Sequence, residues 1–244
     1  MFGDDLNEAL LAELPSDKGR EARKRVCRIL PDAFNEAGKL LRIAGWMVGP
    51  DRANKVSPFK FGSDAVVGLA TIAQVAGELC RGMTALLEVG NLYSAAALLR
   101  QIVEAEYIAW AFAEDKDEAA NWLRSSRDER SRFWQPRHIR RRSAGRFRWE
   151  DYSRHCEIGG HPTPDSRQLL PDHQNVPVDF LWLDLTYHGV STWRYIEKAG
   201  SDLGYKELTA NTAVGQQLQL AMSDWYECDR LSQVKRQFRE EGRQ

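Results

Sequence analysis

The stretch YSRHCEIGGHPTP, Tyr152 to Pro164, gathers Arg154, His155, Cys156, Glu157 and His161 around a Gly-Gly pair and two prolines. An arginine and a histidine suffice for one reaction in particular. A histidine, whose ordinary pKa lies near neutrality, can move protons between an attacking 2'-hydroxyl, a leaving 5'-oxygen and water. An arginine can stabilise the charge that builds on the phosphoryl oxygens. Spacing alone does not pick the pair, because four Arg–His pairs have five or six residues between them: Arg132–His138, Arg148–His155, Arg154–His161 and Arg167–His173. Context favours Arg154–His161. A helix starting near Trp149 should end at Gly159-Gly160, with His161 at its C-terminal edge, where the macrodipole favours an imidazolium. Pro162 and Pro164 stiffen the exit. A histidine that only caps exposed carbonyls would look the same, so both readings stay open.

The second concentration of chemistry is basic. Between Arg124 and Arg148 lie ten arginines (Arg124, Arg127, Arg130, Arg132, Arg137, Arg140, Arg141, Arg142, Arg146 and Arg148) opposed only by Asp128 and Glu129, so the segment carries 10 − 2 = +8. Phe133, Trp134, Phe147 and Trp149 are interleaved. That combination suits a phosphate chain whose bases stack on aromatics, and the planar guanidinium fork binds oxyanions bidentately. The competing reading is a solvated helix face and basic loop whose aromatics serve the core. Arg137, Arg140, Arg141, Arg142, Arg146 and Arg148 are the candidate phosphate contacts.

Three further groups are candidates for support. Arg100 and Glu104, four apart in AAALLRQIVEAEYIAW, form either an internal ion pair or an arginine held for an anionic ligand. Asp184 and His188, also four apart, can touch: His188 is either a satisfied, partly buried histidine or part of a pair aimed at the Arg154–His161 edge. Glu157 completes the set. His155, Cys156, Glu157, His161 and His188 are all metal-ligand types, but His155 and Glu157 are two apart and point to different sides of a helix. No HExxH or paired-cysteine spacing is present. The expectation is no metal and no cofactor.

These residues need a scaffold, and the periodicity predicts an all-α one. The 244 residues carry a formal net charge of −1 and 43% apolar residues, enough for a substantial core. EARKRVCRILPDAFNEAGKLLRIAGWMV predicts one or two helices, with Pro31 starting the second or kinking the first. Gly49–Ser63 is a linker, so the expected division is an N-terminal arm over 1–58 and a bundle over 59–244, together one compact unit. Helices are expected over Ser63–Val89, Leu92–Asp115, 117–134, Pro177–Gly200 and Lys206–Phe238, the first two forming an antiparallel hairpin through Gly90-Asn91. Small residues (Gly68, Ala73, Ala76, Gly77) predict close helix contact there.

Four widely spaced cysteines predict reduced thiols and a cytoplasmic location. The acidic N-terminus argues against a signal peptide, and the most apolar run, Ala65 to Cys80, is too short and polar to span a bilayer.

The order of these motifs resembles a known family. A helical hairpin with RQIVEAE, a tryptophan-rich basic helix, YSRHCEIGGHPTP and an apolar helix with DLTYH resemble a bacterial helical family with a Tyr…Ser/Cys…His-Pro signature. That family is associated with the HEPN superfamily (higher eukaryotes and prokaryotes nucleotide-binding). The resemblance covers roughly Phe59 to Ala199. It implies an up-and-down helical bundle, a homodimer and a metal-independent endoribonuclease in toxin–antitoxin or antiphage defence, with RNA as substrate and an antitoxin or defence protein as partner. Arg154 and His161 would be the catalytic pair, and His155 the polar residue that follows the arginine. The gap is at the long end for the family, and Gly-Gly precedes the histidine. Some members are non-catalytic binding or dimerisation modules, which is the alternative function.

Overall fold

The computed structural model describes residues 17–48, 62–171 and 178–229. Among them every regular element is helical and the helices pack as a bundle. Most of the Gly49–Ser63 linker, Pro177, His173, Leu231 and the end of the last expected helix lie outside the described residues.

Helix α1 (Asp17–Met47) runs unbroken through Pro31. Proline has no N–H to give the carbonyl four residues back, which is that of Cys27. The structure repairs this from a neighbour: the Thr84 hydroxyl donates to the Cys27 carbonyl at 3.2 Å. Helix α1 lies along α2 (Asp64–Glu88), and its Val26, Leu30, Ala33, Phe34, Ala37 and Leu41 are part of the central core. The small residues of α2 do permit close contact. A side chain at Gly68 would meet the Ala119 carbonyl oxygen at 2.4 Å, and one at Gly77 would meet Phe34 and Asn35 at 3.1 Å.

The turn at Gly90-Asn91 folds α3 (Leu92–Glu114) back along α2. Gly90 has φ +74°, and the Asn91 side chain accepts the Ser94 N–H at 3.3 Å, closing the first turn of α3. The hairpin is as expected. The single helix expected over 117–134 is not formed. It divides into α4 (Glu118–Arg124) and α5 (Arg127–Glu129, widening into a π-helical turn over Arg130–Trp134). The break falls at Ser125-Ser126 because serine competes well for helix-end amides. Ser126 and Glu129 form a reciprocal capping box that starts a new helix there.

Helix α6 (Pro136–Arg142) begins with proline at its first turn. After a reversal at Ala144 and Gly145, both with positive φ, α7 (Trp149–His155) continues as a π-helical turn over Cys156–Gly160. Helix α8 (Val178–Asp202) packs on α3, α1 and α2 and is buried on most faces, as its composition implies. The last helix, α9 (Ala213–Cys228), starts later than the expected Lys206. A 3-10 turn holds Lys206–Leu208, and the Thr212 side chain caps α9 by accepting the Gly215 N–H at 3.0 Å. No described helix is long and apolar enough to cross a membrane. Cys27 and Cys80 are buried free thiols that burial pushes well above the ordinary range, so they are inert core residues.

Candidate functional site

Helix α7 carries two different environments on its faces. One face, with Tyr152 and His155, is buried, and the π-helical turn that follows packs along α3; Glu157 and His161, both exposed, form an open edge beside it.

The turn explains the Gly-Gly pair. Neither glycine has a positive φ among the described residues, so they are not left-handed helix caps. Gly159 is needed for close approach instead. A Cβ there would stand 2.5 Å from the Ala96 carbonyl carbon and 2.7 Å from the Ala97 nitrogen, backbone atoms of α3 that cannot step aside. At Gly160 the nearest atom is Arg100 Cδ at 2.8 Å, which can move. Gly159→Ala should therefore cost about 1–3 kcal/mol in urea unfolding, the usual range for overpacking, and Gly160→Ala distinctly less. Equal costs would show that the backbone contact does not decide the turn's position.

Past the turn the backbone becomes extended at His161 (φ −141°, ψ 150°), whose side chain is exposed. Its main chain is fixed twice: its N–H donates to Cys156 O at 3.1 Å, and its carbonyl accepts from Ser166 Oγ at 3.2 Å. Thr163 Oγ1 donates to Glu157 O at 2.7 Å, tying the exit strand to the turn, while the Glu157 side chain faces solvent. Arg100 reaches the same place from α3. Its Nε donates to Glu104 at 3.1 Å, and its Nη1 lies 3.5 Å from the Gly160 carbonyl, next to His161. Tyr152 donates its hydroxyl to Glu104 at 2.8 Å. Burial, then that acceptor, holds the phenol well above its ordinary pKa, so it stays a donor.

Arg154 is half-exposed on α7, with Asp151 at 3.8 Å and Asp184 at 3.6 Å. His155 does not accompany the pair. It is only 4% exposed and turned into the core, and burial pushes its imidazole down to about 4, so it is neutral. A phosphodiester at the open edge cannot reach it.

Asp184 and His188 each have a further partner. Asp184 faces Arg154, and His188 Nδ1 donates to Glu106 Oε2 at 2.6 Å, both residues buried. Sequence reasoning missed Glu106, which lies two residues after Glu104 and on the buried face of α3. Asp151 was missed as well, although Asp151-x-x-x-His155 puts both residues on one face of α7 and was readable.

The arginine segment divides in two. Arg124 pairs with Asp64 at 2.6 Å, and Arg130 donates to the Ser125 carbonyl. Arg142 pairs with Glu118 at 3.0 Å and stacks on Trp134. Arg140 stacks on Trp149 and Tyr152, and Arg146 donates to the Tyr195 hydroxyl at 3.1 Å. Arg137 faces His138 at 3.1 Å. Arg127, Arg132, Arg141 and Arg148 are exposed. The aromatics divide likewise: Trp134 is buried and Phe147 packs on Tyr107 at 4.0 Å, whereas Phe133 and Trp149 are 55% and 57% exposed.

Comparison with known proteins returns no matching family model, no matching curated protein and no matching solved structure.

Proposed function

We propose that this chain is a metal-independent endoribonuclease of HEPN type, acting as a homodimer in a defence or toxin–antitoxin setting. One observation carries the reading. The π-helical turn ends with Arg100 Nη1 3.5 Å from the Gly160 carbonyl and with the exposed His161 next in the chain, and Arg154 is half-exposed on the helix that leads into that turn. In the reaction His161 accepts the 2'-hydroxyl proton and returns a proton to the leaving 5'-oxygen. Arg154, half-exposed, faces the charge developing on the phosphoryl oxygens, and Asp151 and Asp184 orient it. The product is a 2',3'-cyclic phosphate.

The exposed half of the arginine segment supplies binding. Among the aromatics of this segment Phe133 and Trp149 are exposed for base stacking, Trp149 with the Arg140 guanidinium already over its ring. Replacing Arg127, Arg132 and Arg141 together by Ala should weaken RNA binding. For single-stranded RNA it should flatten the log–log salt dependence by about 2, at roughly 0.7 per lost phosphate contact. Arg140 and Arg142 are poorer choices because each also holds the fold. An unchanged slope would make this a merely solvated surface.

The function itself is tested by incubating the purified chain with mixed RNA, with and without EDTA. Cleavage that survives EDTA supports the proposal. Cleavage lost in EDTA, with the helical signal retained, replaces it with a metal-dependent activity. Binding without cleavage leaves the non-catalytic RNA-binding module.

A further inference from the structure

Behind the open edge, three side chains from two helices point at one small volume. Asp151 and His155 come from successive turns of α7, and His188 from the middle of α8. One ligand atom from each lies within 4.8 Å of the other two, with His155 Nε2 4.0 Å from Asp151 Oδ1. The two rings meet edge to face at 5.2 Å. His155 and His188 are 4% and 2% exposed, and the Nε2 atom of each has no hydrogen-bond partner among the described residues. Two such orphaned atoms in one place are costly, since a buried polar group without a partner forfeits its hydration.

We infer that Asp151, His155 and His188 bind a divalent first-row transition-metal ion, with Glu106 orienting His188 from behind. Two imidazoles and a carboxylate are the donor set of zinc and its neighbours rather than of magnesium or calcium, which take oxygen ligands. With Nδ1–H given to Glu106, His188 presents its Nε2 lone pair to the ion, the carboxylate–histidine–metal arrangement that fixes ring orientation and raises ligand basicity. Bonds of about 2.0–2.2 Å at the tetrahedral angle place ligand atoms roughly 3.3–3.5 Å apart. The three arms therefore close by no more than about 1.5 Å, a side-chain adjustment. Asp151 is part-exposed, which gives the ion an entry path and leaves a coordination position on the solvent side.

This inference shares Asp151 with the ribonuclease reading, where that carboxylate orients Arg154, but it uses neither His161 nor RNA, and its test is read as ion uptake without a substrate, so either reading can fail alone. The full chain, stripped with a chelator and desalted, is titrated with Zn²⁺ by calorimetry and with Co²⁺ by visible absorption. One ion per chain is expected, with the d–d bands of four- or five-coordinate Co²⁺. Asp151→Asn, His155→Gln and His188→Gln should each weaken binding at least about tenfold, and Glu106→Gln by about 10–100-fold. Circular dichroism checks that each variant folds. If a buried-histidine variant does not, Asp151→Asn decides, since its side chain reaches solvent. Two results would overturn the assignment: no saturable uptake of either ion at micromolar concentration, or uptake unchanged in Asp151→Asn.

Discussion

Replacing His161 by alanine should abolish RNA cleavage and leave the fold and RNA affinity nearly intact. The expected loss is about 10²–10⁴-fold, the usual contribution of a positioned general acid–base. The position is favourable for a clean experiment. The hydrogen bonds that fix residue 161 are those of its backbone, to Cys156 and Ser166, and an alanine keeps both. The side chain is exposed, so its removal opens no cavity. Arg154→Ala should also cost most of the activity. The loss in the double variant should be far from additive, since both residues serve one transition state. That substitution disturbs more, because Asp151 and Asp184 lose a counter-charge. The competing role for His161 is a charge at a helix terminus, worth about 0.3–1 kcal/mol. Melting temperature and cleavage measured on one His161→Ala sample separate the two. Activity lost with stability kept supports the catalytic assignment; stability lost with activity kept makes the residue a cap.

What the sequence made legible here was periodic and local. The apolar patterns of α2, α3 and α8 located those helices, and Gly90-Asn91 located the hairpin, because each signal depends only on neighbours along the chain. The breaks were harder. Ser125-Ser126 splits a run with good helical periodicity because the capping box outweighs propensity over those few residues. Pro31, by contrast, breaks nothing. The hydroxyl that satisfies Cys27 arrives from α2, 57 residues away in sequence. At the site, the turn after α7 was legible from its glycines, but the reason for them was not. Gly159 answers to Ala96 on another helix, a contact no spacing rule encodes. The same holds for His188, whose partner Glu106 is 82 residues away. The arginine segment was legible as charge. How many of its members the fold keeps for itself depended on where Asp64, Glu118 and Tyr195 came to lie.

Long-range contacts of that kind also set the largest expected loss of stability, Asp229→Ala at about 3–5 kcal/mol. Asp229 follows α9 and Arg23 lies in α1; each is 1% exposed, and their side chains meet at 2.6 Å. Asp229 is shared, accepting the Trp225 Nε1–H on its other oxygen at 2.7 Å, while Arg23 has Asp179 of α8 at 3.5 Å as a second carboxylate. Removing the Asp229 carboxylate leaves the buried guanidinium only the longer contact to Asp179 and takes away the acceptor of the indole N–H. Charge burial carries the cost, since the attraction had only offset the loss of hydration. An internal control joins the same two helices: Arg25 and Asp224 meet at 3.0 Å with both side chains more than half exposed. Asp224→Ala should cost no more than about 1 kcal/mol, because solvent already screens that pair. The double replacement Arg23→Met with Asp229→Leu should recover much of the loss, since neither charge then remains buried. Urea unfolding of the four proteins reads all of this on one scale. An Asp229→Ala midpoint no lower than that of Asp224→Ala would mean that Arg23 finds water or Asp179 on its own, and that the α1–α9 contact is held by its apolar residues alone.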